Sequence, residues 1–139
     1  MRVVIATTTW YKDENDLRAK LALKTAQAAK KAGFAIIAVD GGSSETFLEA
    51  MRQAGAQISP QEKKGFGFGM RQSFRLASDL TGADGVVIRL EAEKHTLVNI
   101  LPSIVSVMLR DNIDLFKLGR KNLDGYPGIQ KAAESFSIL

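Results

Sequence analysis

Short apolar, β-branched runs recur along the chain, and longer segments with helical spacing separate them. The runs cover residues 2–7, 35–39, 56–58, 85–91 and 113–117. Between them, residues 14–32, 44–54, 67–80 and 96–110 predict helices. Three helical segments end in glycine (Gly33, Gly55 and Gly82) shortly before the next apolar run. A glycine just past a helix end adopts the left-handed backbone that closes it. Nearly continuous apolar strands alternating with helices predict a mainly parallel sheet covered on both faces, a three-layer α/β/α sandwich. The clearest stripe is Leu97, Ile100, Leu101, Ile104, Val105, Met108 and Leu109, which reads as core packing. Pro102 lies inside it and predicts a kink or a later helix start. Beyond Lys117 the pattern breaks at Gly119, Gly125, Pro127 and Gly128, so 118–130 reads as a loop, with a short helix near Ile129.

Composition narrows the chemistry. A chain of 139 residues fits one domain spanning 1–139. It has no cysteine, which excludes disulfides, thiolate zinc sites and thiol nucleophiles, and a single histidine excludes a multi-histidine metal centre. No apolar run approaches the ~20 residues of a transmembrane segment. The N-terminus turns polar at Thr7, so it reads as a strand and not a signal peptide. The expected compartment is the cytoplasm, with attachment to a membrane surface left open. The net charge of +4 comes from scattered lysines and arginines without interleaved aromatics. No nucleic-acid partner is expected, whereas small anionic ligands such as phosphates are.

Three segments fall at the carboxyl ends of predicted strands, where α/β sheets place ligands. The first, Asp40-Gly41-Gly42-Ser43-Ser44, combines a carboxylate at a strand tip with glycines that allow close backbone approach. Asp40 could accept hydrogen bonds from a ribose or base, or simply sit in a turn with an N-cap. The second, Lys63-Lys64-Gly65-Phe66-Gly67-Phe68-Gly69-Met70-Arg71, leads cations and glycines into a helix N-terminus, a natural anion site or else a flexible connection. Its spacing is neither a dinucleotide-binding fingerprint nor a Walker loop. In the third, Glu91 and Glu93 stand two residues apart, which on an extended segment points both carboxylates to one side. Such a pair could hold Mg²⁺ or Mn²⁺ against a diphosphate, or form an acidic loop. His95 beside them is a further candidate ligand or an ordinary surface residue.

In this order and spacing, the segments resemble the N-terminal half of family-2-like glycosyltransferases. Thr7, Thr8 and Thr9, continuing into Trp10 and Tyr11, resemble the family's first strand and nucleotide-contacting loop. Val39-Asp40-Gly41-Gly42-Ser43 is similar to its Val-Asp-Asp-Gly-Ser segment, with Gly41 in place of the second aspartate. Lys64, Gly65, Gly67 and Arg71 resemble its lysine- and glycine-containing stretch. Glu91-Ala92-Glu93 occupies the place of the Asp-x-Asp metal motif. Glu91 to Lys94, with Tyr126-Pro127-Gly128-Ile129-Gln130 further on, is similar to a subgroup carrying Glu-Pro-Glu-Lys and Tyr-Pro-x-x-Gln.

The resemblance implies a GT-A, Rossmann-like fold that binds a nucleotide-diphospho-sugar and transfers its sugar to an unknown acceptor. It implies Asp40 on the nucleoside, Glu91 on ribose or metal, Glu93 as the direct ligand, and a divalent cation, Mg²⁺ or Mn²⁺, as cofactor. The family's acceptor half and catalytic base would lie beyond Leu139, which predicts a homo-oligomer or another completing segment. Asp114, Asp124 and Glu134 are available carboxylates, and nothing in the spacing selects one. A non-catalytic nucleotide- or phosphate-binding protein is the second expectation. A nucleotidyltransferase is the third, though its glycine-rich first loop is absent at residues 7–10.

Overall fold

The computed structural model describes residues 2–118. The Tyr-Pro motif at Tyr126, the expected helix near Ile129, Asp124 and Glu134 lie outside the described residues. The chain divides into two compact units, Met1–Ser106 and Val107–Leu139.

The first unit carries four strands, β1 (Val3–Thr9), β2 (Ala35–Asp40), β3 (Gln57–Pro60) and β4 (Val86–Arg89). They form one all-parallel sheet in the order β3-β2-β1-β4. Helices α1 (Leu17–Lys31), α2 (Glu45–Gln53) and α3 (Phe66–Thr81) connect successive strands. A 3₁₀ turn (His95–Ile100) then leads into α4 (Leu101–Arg110).

Register explains the core. Ile5 pairs with Ile36 on one side and Ile88 on the other. All three pack with Ala22 and Ala26 of α1 and with Phe47 and Met51 of α2. Their neighbours Val4, Ala6 and Ile37 point the other way and pack with Ala77 of α3. The alanine-rich face of α1, buried at Ala19, Ala22, Ala26 and Ala29, lets that helix lie close to its neighbours.

The predicted helix-closing glycines do adopt positive φ, at 77°, 94° and 70° for Gly33, Gly55 and Gly82. β1 runs two residues further than its apolar pattern, because Thr8 and Thr9 pair with Val39 and Asp40. Threonine is β-branched and suits a strand. Pro102 falls in the first turn of α4, where its missing N–H costs no hydrogen bond, and the 3₁₀ turn takes up the preceding residues.

One expected strand is absent. Residues 113–118 of the second unit carry no strand among the described residues. Two of the five residues from Ile113 to Lys117 are charged, and Leu115 is 85% exposed, so the run has no buried face to hold it extended. In the same unit Arg110 pairs with Asp111 at 2.7 Å, and Asn112 takes φ 52°. No helix among the described residues is long and apolar enough to cross a membrane.

Candidate functional site

The sheet reverses direction at β1. From β1 the chain winds through β2 to β3, then returns to place β4 on the other side of β1. The carboxyl ends of adjacent strands at such a reversal leave a crevice between diverging loops. A cleft of about 1330 Å³ lies there, reached by residues from all four strand ends. Its lining includes Thr8, Thr9, Asp40, Gly41, Lys64, Gly65, Glu91 and Glu93, eight of the residues singled out from sequence. Thr7, Gly67 and Arg71 are not among the lining residues. Thr7 is fully buried with its hydroxyl unpartnered, and the Arg71 guanidinium stacks on Phe68 at 4.7 Å.

Asp40 holds the strand tips together. Its Oδ1 accepts from the Thr9 hydroxyl at 2.8 Å and from the Ser43 hydroxyl. Its Oδ2 accepts from the N–H groups of Gly42 and Ser43, each at 2.9 Å. The carboxylate is 7% exposed. Four donors within the chain fill its lone-pair sites. Ser43 in turn accepts from the Tyr11 N–H at 2.8 Å, and Gly41 N–H donates to the Thr9 carbonyl at 2.9 Å.

Two glutamines shape the loop before α3, and sequence reading passed over both. The Gln61 amide donates to the carbonyls of Lys63 at 2.6 Å and Gly65 at 2.8 Å. Buried Gln72 accepts from the Glu62 N–H at 2.9 Å and donates to the Pro60 carbonyl at 2.8 Å. Gly69 is small for a reason, since a Cβ there would meet Gln61 Oε1 at 2.9 Å. Gly65, at φ 108°, opens α3 without a side-chain cap. Gly67 and Gly69 therefore belong to the first turn of a helix and not to a flexible loop.

Glu91 and Glu93 do not share one side of a strand. β4 ends at Arg89, and a turn follows, closed by the Lys94 N–H to the Glu91 carbonyl at 3.1 Å. Two-residue alternation therefore does not apply. Glu91 is exposed, with Lys94 Nζ 3.9 Å away. Glu93 is largely covered, and its carboxylate accepts from Arg18 Nε at 3.0 Å and from the Tyr11 hydroxyl. Burial pushes the Glu93 carboxyl up, but hydrogen bonds from Tyr11, its own backbone and Arg18 outweigh it and hold the group below the ordinary glutamate range. Burial and the same carboxylate push the Tyr11 phenol up. Tyr11 also packs edge-on against Phe47 at 5.1 Å. His95 starts the 3₁₀ turn and is not a lining residue. No group of three or more His, Asp or Glu among the described residues could hold a metal ion. The residues present do not fit a resident metal, because a cation at Glu93 would have to displace the Arg18 guanidinium.

The charge balance of the lining is informative. Glu45 pairs with Arg52 at 2.8 Å and Glu93 with Arg18. Lys63, Lys64 and Arg89 have no carboxylate within ion-pair distance among the described residues. Arg89 is half-buried. Burial pushes its pKa down, while Glu91 and Glu93 pull it up, and it remains a cation. Its Nη atoms reach the Ala6 carbonyl and Thr8 Oγ1 only at 3.5 Å each, a third contact goes to the Leu90 carbonyl, and Nε is buried without a partner. Sequence reading left it out because its orientation depends on strand register. Trp10, 65% exposed, and Phe66, 67% exposed, add aromatic surface to the lining.

Fold and site together define an α/β domain with a parallel sheet and a ligand-sized cleft at its topological reversal. No family model, no curated protein and no solved structure matches the chain.

Proposed function

We propose that this chain is the donor-binding half of a glycosyltransferase of family-2 type, a three-layer GT-A domain that binds a nucleotide-diphospho-sugar. The observation that supports the reading best is convergence. Four separate chain segments with family-like motifs supply lining residues to one cleft at the carboxyl ends of the strands. The surplus of unpaired cations there, Lys63, Lys64 and Arg89, suits a diphosphate. In a transfer reaction these fixed charges would stabilise the leaving diphosphate without reorganising. The exposed face of Trp10 suits a base or sugar ring. Asp40 then acts by fixing the backbone of the 40–44 turn against the ligand, since its own acceptor sites are occupied. The reaction is assigned to the cytoplasm or its membrane surface. The divalent cation implied by the family would arrive on the phosphates of the nucleotide and not from a preformed site in the cleft.

A panel of UDP- and GDP-sugars, scored by thermal shift on the whole chain, tests the reading. Ligand at a hundred times its Kd stabilises the fold by roughly 2.7 kcal/mol, a shift of several degrees. No shift with any member of the panel removes the proposal.

A second reading has its own support. Asp40 is saturated and Glu93 is ion-paired within the chain, so among the lining carboxylates that follow the strands Glu91 has the exposed, loosely paired head. A cleft so poor in free bases suits a domain that binds a nucleotide without turning it over. Sugar release from a bound donor separates the two readings.

A further inference from the structure

We propose that phosphate charge in this cleft is met by the Arg89 guanidinium, and not by a divalent ion held between Glu91 and Glu93. The inference rests on the donor-binding reading of the cleft. It concerns how that site neutralises its ligand.

The acidic pair is poorly placed for a metal. Glu93 gives its carboxylate to Arg18 Nε at 3.0 Å and to the Tyr11 hydroxyl. A divalent ion there would have to break an ion pair and a hydrogen bond before gaining a ligand. Glu91 stands on the other limb of a turn, exposed, with a lysine 3.9 Å away. A cation beside Lys94 and Arg18 would meet like charge from both. Mg²⁺ and Mn²⁺ at phosphate sites rely on one or two carboxylates that are free to bind them.

Arg89 has the opposite character. Ala6 and Arg89 are partners in the β1–β4 register. Val87, two residues earlier on β4, packs with Ala77 of α3, so alternation sends Arg89 to the same face of the sheet. The start of α3, uncapped at Gly65, lines the same cleft. The guanidinium is half-buried and lacks a carboxylate partner among the described residues, and its Nη2 makes one long contact, to Thr8 Oγ1 at 3.5 Å. A half-buried cation with an underused donor gains from an anionic partner. The planar fork of arginine matches two oxygens of one phosphate, and partial burial strengthens such a contact. Thr8 Oγ1, 3.5 Å from Nη2, is close enough to join it.

The test is calorimetric titration of UDP and of GDP into the whole chain, first in EDTA and then in Mn²⁺, on the parent, R89Q and R89K. The parent should bind in EDTA, with affinity changed less than about twofold by Mn²⁺. R89Q should bind about tenfold more weakly in EDTA, the order of one charge-assisted contact. R89K, which keeps the charge in the same slot, guards against an unfolded R89Q. It should melt with the parent and bind with intermediate affinity, because a point charge replaces a fork. Parent binding that appears only with Mn²⁺ overturns the inference and leaves the donor-binding reading standing. Folded R89Q or R89K that binds as tightly as the parent does the same. Failure of both nucleotides to bind in either condition takes down the donor-binding reading, and this inference with it.

Discussion

Removing the Asp40 carboxylate should unfold the strand tips before it affects any ligand. In Asp40→Ala four donors lose their acceptor at once: the hydroxyls of Thr9 and Ser43 and the N–H groups of Gly42 and Ser43. Hydrogen bonds to a charged group contribute about 1.5–3 kcal/mol each when their donors stay dry, and they are not additive. Gly42 is exposed, so water can replace the carboxylate there, whereas Thr9 is 4% exposed and cannot turn to water. Counting the Thr9 contact in full and the others in part gives a loss of roughly 3 kcal/mol, about a fifth to three fifths of the stability of an ordinary domain. Asp40→Asn should cost less, about 1 kcal/mol. Its carbonyl can face the two N–H groups, and its amide can face the two hydroxyls, which rotate to accept. Urea unfolding of the parent and both variants supplies the comparison, with an unchanged slope as the control. Asp40→Ala within about 1 kcal/mol of the parent would refute the structural role. Asp40→Asn as costly as Asp40→Ala would refute the account by hydroxyl rotation.

Other outcomes follow from the same geometry. Gly69→Ala should cost about 1 kcal/mol, because the new Cβ displaces a Gln61 amide pinned by two hydrogen bonds, and this outweighs the helix propensity gained. In a Gln61→Ala background the same substitution should become stabilising, and a double-mutant cycle by urea unfolding reads the change of sign. Glu93 titrates below the ordinary glutamate range in the folded chain, so its contribution to stability is present above that range and is lost as pH falls through the folded value. The stability gap between the parent and Glu93→Gln should therefore shrink on acidification through that window; a gap that widens there contradicts the assigned hydrogen bonds. Arg71→Ala should leave nucleoside-diphosphate affinity within about twofold, since that guanidinium stacks on Phe68 and does not line the cleft.

Much of the fold was legible because its signals are local. Closing glycines, β-branched runs and the 3.6-residue stripes each act within one element, and the sheet has the parallel strands they predict. The errors come where partners decide. Thr8 and Thr9 look like a polar loop, but Val39 and Asp40 give them ladder partners. Residues 113–117 look like a strand, but that run has no face that becomes buried. The site divides in the same way. Strand tips could be named in advance, whereas the side chains that reach the cleft depend on register and on where β4 stops. Ending β4 at Arg89 turned the acidic pair into two limbs of a turn. It also left Arg89 as the final strand residue, facing the side of α3.

The two walls of the cleft differ because the chain winds in two directions. Right-handed crossovers from β1 to β2 and from β2 to β3 place α1 and α2 on one face. The return from β3 to β4 places α3 on the other, and the two core clusters divide accordingly. At the reversal, the wall nearer α1 is built from Tyr11, Arg18 and Glu93, whose charges and hydroxyl satisfy one another. The wall nearer α3 is built from Lys63, Lys64, Gly65 and Arg89, which carry positive charge and uncapped backbone without acidic partners among the described residues. A ligand gains little electrostatically from the first wall and much from the second. An anionic group should therefore sit under α3, and the uncharged part of the same ligand should lie toward Trp10 and Tyr11. Phosphate placement is then set by the path of the chain, and replacing Lys63 and Lys64 together with glutamine should weaken nucleoside-diphosphate binding while Arg18→Gln leaves it nearly unchanged. The reverse order of effects, read by titration at fixed ionic strength, would show that the assignment of the two walls is wrong.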